Sequence, residues 1–468
     1  MIFHPQHLVP TEGSFRIQPN VSAMVHSCLN KDVFREFWKG FTFQCSELHT
    51  VETEDFVFTV GNAQKIPLGG YAYSINIERN GICVHAESEK NLILGLMTLL
   101  DRIHAIDSGN GTAAEIDCCE IHDSPLTPYR MIHFCVFPET DLWSFRHFMR
   151  FCAALRFSHV VLEFWGMLQY DCLKELSWSS AFTKDQIKPI IREAKELGLE
   201  VIPMFNHWGH ASASRVAYGK HVVLDQNPTL QSYFSEDGWC WAIHKPKVKE
   251  LLRQVRNELT ELCGVGSYFH IGCDEAFNFS FTRENMSFIC DFINEINEEM
   301  AQQNRRIIIW GDMFLFQHEH YNEKNVYTCN APSADTEEYM LNRLNKKIII
   351  ADWQYDALHA PVETALVFQK RGFDCLICPW DRGDNQLIAC INTMKDHHLT
   401  GLLHTTWDTV HRRMPTITIA ALGAFEGNTS FRLEHSRTHT AALWRKVMFA
   451  NGEYEKAGWT KKQLGALI

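Results

Sequence analysis

A chain of 468 residues with a net charge of −12 and no local run of Lys or Arg lacks the field that holds a phosphate backbone, which argues against nucleic acid as a partner. No apolar run reaches the length of a bilayer span, and the most apolar one, Leu92 to Leu100, is short and contains Gly95, so no membrane association is expected. With 46% hydrophobic and 21% charged residues the composition is globular, and the length calls for a large domain plus a smaller one.

Residues 1–125 read as a small α/β domain. Tyr71–Ile77 and Gly81–Ala86 alternate as paired strands around an Arg79-Asn-Gly81 turn, Glu89 to His104 reads as an amphipathic helix, and Ala114–Ile121 reads as a further strand. The Pro-containing stretch Asp123-Ser-Pro-Leu-Thr-Pro128 is rigid and helix-breaking, and marks a boundary.

From 126 to 430 short apolar runs alternate with helices of 3.6 periodicity. Eight strands are expected, at Arg130–Val136, His159–Phe164, Leu199–Met204, Tyr268–Gly272, Arg306–Ile309, Lys347–Ala351, Phe373–Cys378 and Gly401–Thr405. Pro246–Leu262 and Glu284–Met300 each carry one apolar face. Eight such units predict a (β/α)8 TIM barrel, with its site at the C-terminal ends of the strands. A doubly wound open sheet is the alternative, because periodicity does not show closure. Residues 431–468 read as a C-terminal helical extension packed on the barrel.

Side chains suited to chemistry gather at the predicted strand ends. Asp274 and Glu275 follow the fourth strand in Tyr268-Phe-His-Ile-Gly-Cys-Asp-Glu-Ala-Phe277. They either cap the next helix or belong to a site. Trp165, Trp310, Trp353, Trp380 and Trp407 close five other strands, where barrels are usually filled by branched aliphatics. Any one of them could plug the barrel top, but five favour a cage for a ligand with apolar faces. Glu163, Asp312, Asp352, Asp381 and Asp408 accompany them, and aromatic platforms beside carboxylates suit carbohydrate. Phe205-Asn-His-Trp-Gly-His210 opens a connection of about forty residues, far longer than ordinary βα loops. His207 and His210 lack a third ligand of convincing spacing, so no metal and no cofactor is expected. The sixteen cysteines are scattered as buried thiols would be, and Met1-Ile-Phe-His-Pro5 lacks the basic and apolar segments of a signal peptide, so a cytoplasmic location is expected. Cys375 and Cys378 have redox spacing but lie in a β-like run, where i and i+3 face opposite sides.

His270-Ile-Gly-Cys-Asp-Glu275 resembles the His-x-Gly-x-Asp-Glu signature of glycoside hydrolase family 20, the β-N-acetylhexosaminidases. Tyr129-Arg130 looks like that family's start of strand 1, and Val201-Ile-Pro-Met-Phe-Asn-His-Trp-Gly-His210 like its strand 3. Cys273 before Asp-Glu, and Glu163 in place of another strand 2 motif, are similar to the hexosaminidase D-like branch. The N-terminal unit is similar to the small α/β domain that precedes the barrel in this family.

The resemblance implies an exo-acting retaining hydrolase in which the substrate's own acetamido oxygen attacks the anomeric carbon. Glu275 would be the acid and then the base, and Asp274 would hold the acetamido N–H and stabilise an oxazolinium intermediate. Arg130 would grip sugar hydroxyls at the barrel floor. Trp310, Trp353 and Trp407 would wall the acetamido pocket or stack on the ring, Tyr355 would hold the acetamido carbonyl, and His210 would orient an acid. Asp408 stands where many members have Glu for the outer hydroxyls, which leaves the gluco/galacto preference open, and Glu163 is a candidate substrate contact. The expected partner is an oligosaccharide with a terminal N-acetylhexosamine, and a homodimer is left open. The rivals are a two-carboxylate retaining β-glycosidase, with Glu163 or Asp312 as nucleophile, and a catalytically silent carbohydrate-binding protein.

Overall fold

The computed structural model describes residues 3–109, 112–211, 224, 227–407, 410 and 413–448. Two sheets organise them. The first uses β1 (His7–Ile17), β2 (Asn20–His26), β3 (Glu47–Thr53), β4 (Val57–Gly61), β5 (Tyr73–Glu78), β6 (Gly81–Ala86), β7 (His104–Asp107) and β8 (Thr112–Asp123). Their order is β1-β8-β5-β6-β4-β2-β3, with β7 on β8, and only β2 and β3 run parallel. The expected hairpin is present: Glu78 pairs with Gly81 across the two-residue Arg79–Asn80 turn. Ile75, Ile77, Ile82 and Val84 are fully covered, and α2 (Glu89–Asp101) packs on β5 and β6. Strands β1 to β4 and helix α1 (Lys31–Phe41) were not anticipated individually. In α1 the buried positions Val33, Phe34, Phe37, Trp38 and Phe41 keep helical spacing, and the Asn30 side chain caps its first turn. Strand β1 is interrupted by Pro10 and Gly13 and breaks register between Pro10 and Ser14, which hides it from a pattern search.

The second sheet is a closed barrel of parallel strands: β9 (Tyr129–Cys135), β10 (His159–Glu163), β11 (Glu200–Met204), β12 (Tyr268–His270), β13 (Arg306–Trp310), β14 (Ile349–Trp353), β15 (Asp374–Cys378) and β16 (Gly401–His404). All eight expected strands are there. Pairing of β16 with β9, Gly401 opposite Tyr129 and Leu403 opposite Met131, closes the ring and excludes the open sheet. Met131, Val161, Ile202, Ile308, Ile349, Leu376 and Leu403 fill its interior. Around it lie α3 (Leu142–Ala154), α4 (Lys184–Glu196), α5 (Pro246–Cys263), α6 (Arg283–Ala301), α7 (Ala334–Arg343), α8 (Glu363–Lys370), α9 (Asp384–Asp396) and α10 (Met414–Glu426). The apolar faces read for α5 and α6 are the buried ones. Helix α11 (Leu433–Met448) packs on α10, α3 and α1, while residues 449–468 of the expected extension lie outside the described residues. Cys375 packs outward and Cys378 inward, so the pair does not meet. Among the described residues no helix is long and apolar enough to cross a membrane.

One buried ion cluster ties the two layers together. Arg150 on α3, fully covered, bonds Glu193 on α4 and Glu36 on α1, and Arg146 reaches Glu193 at 2.6 Å. Burial alone would raise the Glu193 carboxyl, but hydrogen bonds and charge from Arg150 and Arg146 outweigh it and hold it below the usual carboxylate range. Arg150→Ala should cost about 3 kcal/mol in urea-induced unfolding, since it strands part of that charge. A depressed folded pKa stabilises above the unfolded value of about 4.3 and is lost as pH falls through the folded value. The difference between wild type and variant should therefore shrink below about pH 4. A difference under about 1 kcal/mol at neutral pH would mean that Arg146 alone holds the cluster.

Candidate active site

Strand β12 ends at His270, and the chain then bends sharply. Gly272, Cys273 and Glu275 take φ values of +67°, +80° and +44°, and His210 on the facing loop takes +53°. Side-chain-bearing residues in this region are uncommon and cost of order 1–3 kcal/mol each, so the surroundings must hold them. They do so by close approach. A Cβ on Gly272 would stand 1.7 Å from Asn206 Oδ1, and one on Gly209 would stand 2.0 Å from the Asp274 carbonyl oxygen. Trp239 Nε1 donates to the Glu275 carbonyl at 2.6 Å.

Because of this bend, adjacent acids that an extended chain would send to opposite faces share one partner. His210 Nε2 lies 3.3 Å from Asp274 Oδ2 and 3.1 Å from Glu275 Oε2. The Asp274 side chain is only 6% exposed and that of Glu275 31%, so one acid is sheltered and the other faces the opening. The helix-cap reading of the pair gives way to this geometry: α6 begins only at Arg283, capped by Thr282.

Behind the pair stands Asp312, just past β13. Its Oδ2 accepts from the Glu275 backbone N–H at 2.9 Å and from Asn330 Nδ2 at 2.8 Å, and its Oδ1 accepts from Trp353 Nε1 at 3.1 Å. Burial, and then the negative charge of Asp274, push its carboxyl up to about 7 despite those donors.

An aromatic wall faces the acids. Trp353 and Tyr355 lie 5.1 Å apart between ring centroids, and Tyr355 and Trp380 5.3 Å. The Tyr355 hydroxyl oxygen accepts from Trp407 Nε1 at 2.5 Å and lies 3.0 Å from Thr405 Oγ1. Burial raises this phenol far above its ordinary value, and the hydrogen bonds with Thr405 and Trp407 offset only part of that, so it stays protonated. The Thr405 hydroxyl also meets the Pro379 carbonyl at 3.0 Å, which can only accept, so the Tyr355 O–H can turn between Thr405 Oγ1 and a ligand.

Residues 161–381, from the second barrel strand to just past the seventh, match the model of the glycosyl hydrolase family 20 catalytic domain. The chain therefore carries a glycoside hydrolase family 20 catalytic segment, which covers just under half of its length. It resembles an exo β-N-acetylglucosaminidase of this family from Vibrio harveyi, solved with N-acetylglucosamine, at TM-score 0.70 and 15% identity, over 96% of this chain and 78% of that one. A β-N-acetylhexosaminidase from Bacteroides fragilis aligns at TM-score 0.67 and 14% identity, over 98% and 96%. By sequence, β-hexosaminidase subunit A1 of Dictyostelium discoideum is 24% identical over 330 residues, 64% of this chain and 59% of that protein. Lacto-N-biosidase of Bifidobacterium bifidum is 24% identical over 335 residues, 66% of this chain but 26% of that protein. The chain thus spans less than two thirds of the length of either curated relative.

Several residues expected from the family resemblance lie elsewhere. Arg130 does not reach the pocket. It sits at the start of β9 on the outer face, where its Nε donates to the Arg156 carbonyl at 2.9 Å and its Nη1 to that of Thr127 at 2.6 Å, near the Phe425 ring of α10. Strand alternation decides this: Tyr129 and Met131 pack on the barrel interior, so Arg130 between them turns outward. Trp310 is wholly buried in the interior, 5.7 Å from the Trp407 ring, and forms the support under the cup rather than its wall. Trp165 is likewise buried, against Phe137, so three of the five tryptophans remain open to a ligand. Asp352 is enclosed with Thr364 and Gln354, and Asp381 pairs with Arg413. Asp408 lies outside the described residues.

Glu163 is 1% exposed and does not open on the pocket. It accepts from His133 at 3.1 Å and Asn206 at 3.1 Å, beneath Trp407, whose ring lies 4.5 Å from that of His133. His133, Cys135 and Glu163 bring an imidazole, a thiol and a carboxylate close enough to suggest a cation. The angles do not suit one. Cys135 Sγ stands 3.5 Å from His133 Nε2 and 4.0 Å from Nδ1, beside the ring, whereas with a zinc on the Nε2 lone pair the sulfur would lie beyond the metal and distinctly farther from Nδ1. That direction is taken by Glu163, so the trio is a hydrogen-bonded layer under the site.

The clamp role of Asp312 was not anticipated, although its place two residues after Trp310 at a strand end was the available signal. Trp239 and the His133–Glu163 layer depend on folding of separate loops and carry no local mark. Asp312 gives a pH test. A carboxyl whose folded pKa is raised contributes its stability below the unfolded pKa of about 3.9 and loses it as pH rises through 7. Melting temperatures of Asp312→Asn relative to wild type should therefore rise between about pH 4 and 7 and level off above. A constant difference across that window would mean Asp312 is ionised throughout.

Proposed function

We propose that this protein is an exo-acting retaining β-N-acetylhexosaminidase that removes terminal β-linked N-acetylglucosamine or N-acetylgalactosamine with assistance from the substrate's own acetamide. The observation that carries the reading is the convergence of Asp274, Glu275 and His210 opposite the Tyr355 hydroxyl and the partly open faces of Trp353 and Trp407.

Glu275, the more exposed acid, protonates the departing glycosidic oxygen while the acetamido carbonyl oxygen attacks the anomeric carbon from the other side. The O–H of Tyr355 turns to donate to that carbonyl oxygen and aligns it, and Asp274 accepts the acetamido N–H and balances the positive charge of the oxazolinium ring. Glu275, now a carboxylate, removes a proton from water, whose oxygen opens the ring at the anomeric carbon with net retention. His210 keeps the two carboxylates in register. The two-carboxylate rival is poorly served here, because Glu163 and Asp312 are both buried with their oxygens already holding donors. The substrate is a glycan ending in N-acetylhexosamine. The sixteen free thiols favour a reducing compartment such as the cytoplasm.

Glu275→Gln and Asp274→Asn should each lower turnover of a β-linked disaccharide by roughly a hundredfold or more. Glu275→Gln should be milder on an aryl glycoside, whose leaving group needs less protonation. Near-normal rates in either variant would remove that residue from its role, and a wild type that binds but cleaves neither aryl N-acetylglucosaminide nor N-acetylgalactosaminide would indicate a binding protein. A thiazoline mimic of the cyclic intermediate should inhibit strongly, whereas weak inhibition would favour an enzyme nucleophile.

A further inference from the structure

Behind the aromatic wall, between the barrel and its helices, polar side chains are buried where parallel sheets normally present apolar ones. Asp352 turns outward from β14 because Ala351 and Trp353 on either side of it face the interior, and Asp352, Gln354 and Gln386 are at most 1% exposed. Asp352 Oδ2 accepts from Thr364 Oγ1 on α8 at 2.7 Å, and its Oδ1 accepts from Gln354 Nε2 at 3.0 Å. The same amide clasps the main chain of Thr328: Oε1 accepts the Thr328 N–H at 2.7 Å, and Nε2 donates to the Thr328 carbonyl at 3.2 Å. Gln386 on α9 extends the run, donating from Nε2 to the Gln354 carbonyl at 3.5 Å and accepting the Trp380 N–H on Oε1 at 3.2 Å.

These amides join the loops that follow β13, β14 and β15 at the barrel mouth. Thr328 shortly precedes Asn330, which donates to Asp312, while Gln354 stands between Trp353 and Tyr355, and Trp380 packs on the Tyr355 ring. Turned end over end, the Gln354 amide would set Nε2 against the Thr328 N–H and Oε1 against its carbonyl. The Thr328 backbone could shift to suit a turned amide, but the Asp352 carboxylate only accepts and so admits one orientation. We propose that Gln354 and Asp352 are positioning residues for the acetamide side of the pocket: Gln354 fixes the loop after β13 against the Tyr355 wall, and Asp352 fixes the direction of the Gln354 amide. This rests on the hydrolase reading above. A buried polar network with every member satisfied is rigid, and loosening it lets Tyr355 drift relative to the Asp312–Asn330 pair behind the acids.

Three variants test this. Gln354→Met and Asp352→Leu keep the bulk and remove the bonds, whereas Asp352→Asn keeps them, since its oxygen accepts from Gln354 and its amide donates to the Thr364 hydroxyl. Each is measured for kcat and KM on an aryl β-N-acetylglucosaminide and for the inhibition constant of a thiazoline mimic of the cyclic intermediate. Gln354→Met and Asp352→Leu should lower kcat about tenfold or more with little change in KM, and weaken thiazoline binding by a similar factor. Asp352→Asn should stay within about threefold of wild type in all three quantities. An inhibition constant does not depend on how much of the protein is folded, so a merely structural loss lowers the rate and leaves that constant unchanged. That result overturns the proposal, as does an Asp352→Asn variant as impaired as Asp352→Leu. Should Asp352→Leu fail to fold, Gln354→Met and Asp352→Asn decide by the same criteria. A wild type that neither cleaves the glycoside nor binds the thiazoline fails the hydrolase reading and the positioning role together, whereas an active wild type with unaffected variants fails the positioning role alone.

Discussion

The Asp312 carboxylate accepts the backbone N–H of Glu275, and the remaining site geometry depends on that bond. Neighbouring residues of an extended strand look in opposite directions, and only a bent backbone lets Asp274 and Glu275 address the same imidazole. The bend is unfavourable by itself, with three of four residues from Gly272 to Glu275 at positive φ. It persists because Gly209 and Gly272 let the two loops approach and because Asp312 and Trp239 hold the Glu275 peptide from both ends. Such strain is tolerated where a packed scaffold over-determines it, and a closed barrel is well suited to that role.

The barrel is layered from core to mouth. Branched aliphatics fill its middle, and above them lies a polar layer of His133, Cys135, Glu163 and His270. Burial keeps His270 neutral, with its pKa down near 3, and its Nδ1 accepts the Gly272 N–H at 3.1 Å. Trp310 and Trp407 lie on this layer, and Trp407 in turn bonds Tyr355. Each layer orients the next, so groups at the opening are placed by the buried network rather than by flexible loops. In so dry a setting charges act strongly on one another, which is why Asp312 rises toward neutrality behind Asp274.

Much of this was legible in the sequence because it is periodic. Parallel strands buried on both faces read as apolar runs, and α5 and α6 show their inner faces at helical spacing. The Asp274–Glu275 pair was legible because two adjacent acids after a buried strand need a reason. What failed was direction. Whether Arg130 faces inward depends on a register set by Tyr129 and Met131, one residue to either side, and a motif match carries no such phase. Trp310 reads as a wall only if its strand stops at Ile309, whereas the strand runs through Trp310 itself. Asp312 and Trp239 reach the Glu275 peptide from separate loops, a juxtaposition that no local pattern encodes.

The most direct test is a series of aryl β-glycosides whose 2-acetamido group carries none, one, two or three fluorines. Fluorine drains the carbonyl oxygen without changing the leaving group, so kcat/KM should fall steeply with each substitution if that oxygen is the nucleophile. A flat series would mean that a protein side chain attacks the sugar, and the roles given to Asp274 and Tyr355 would be wrong.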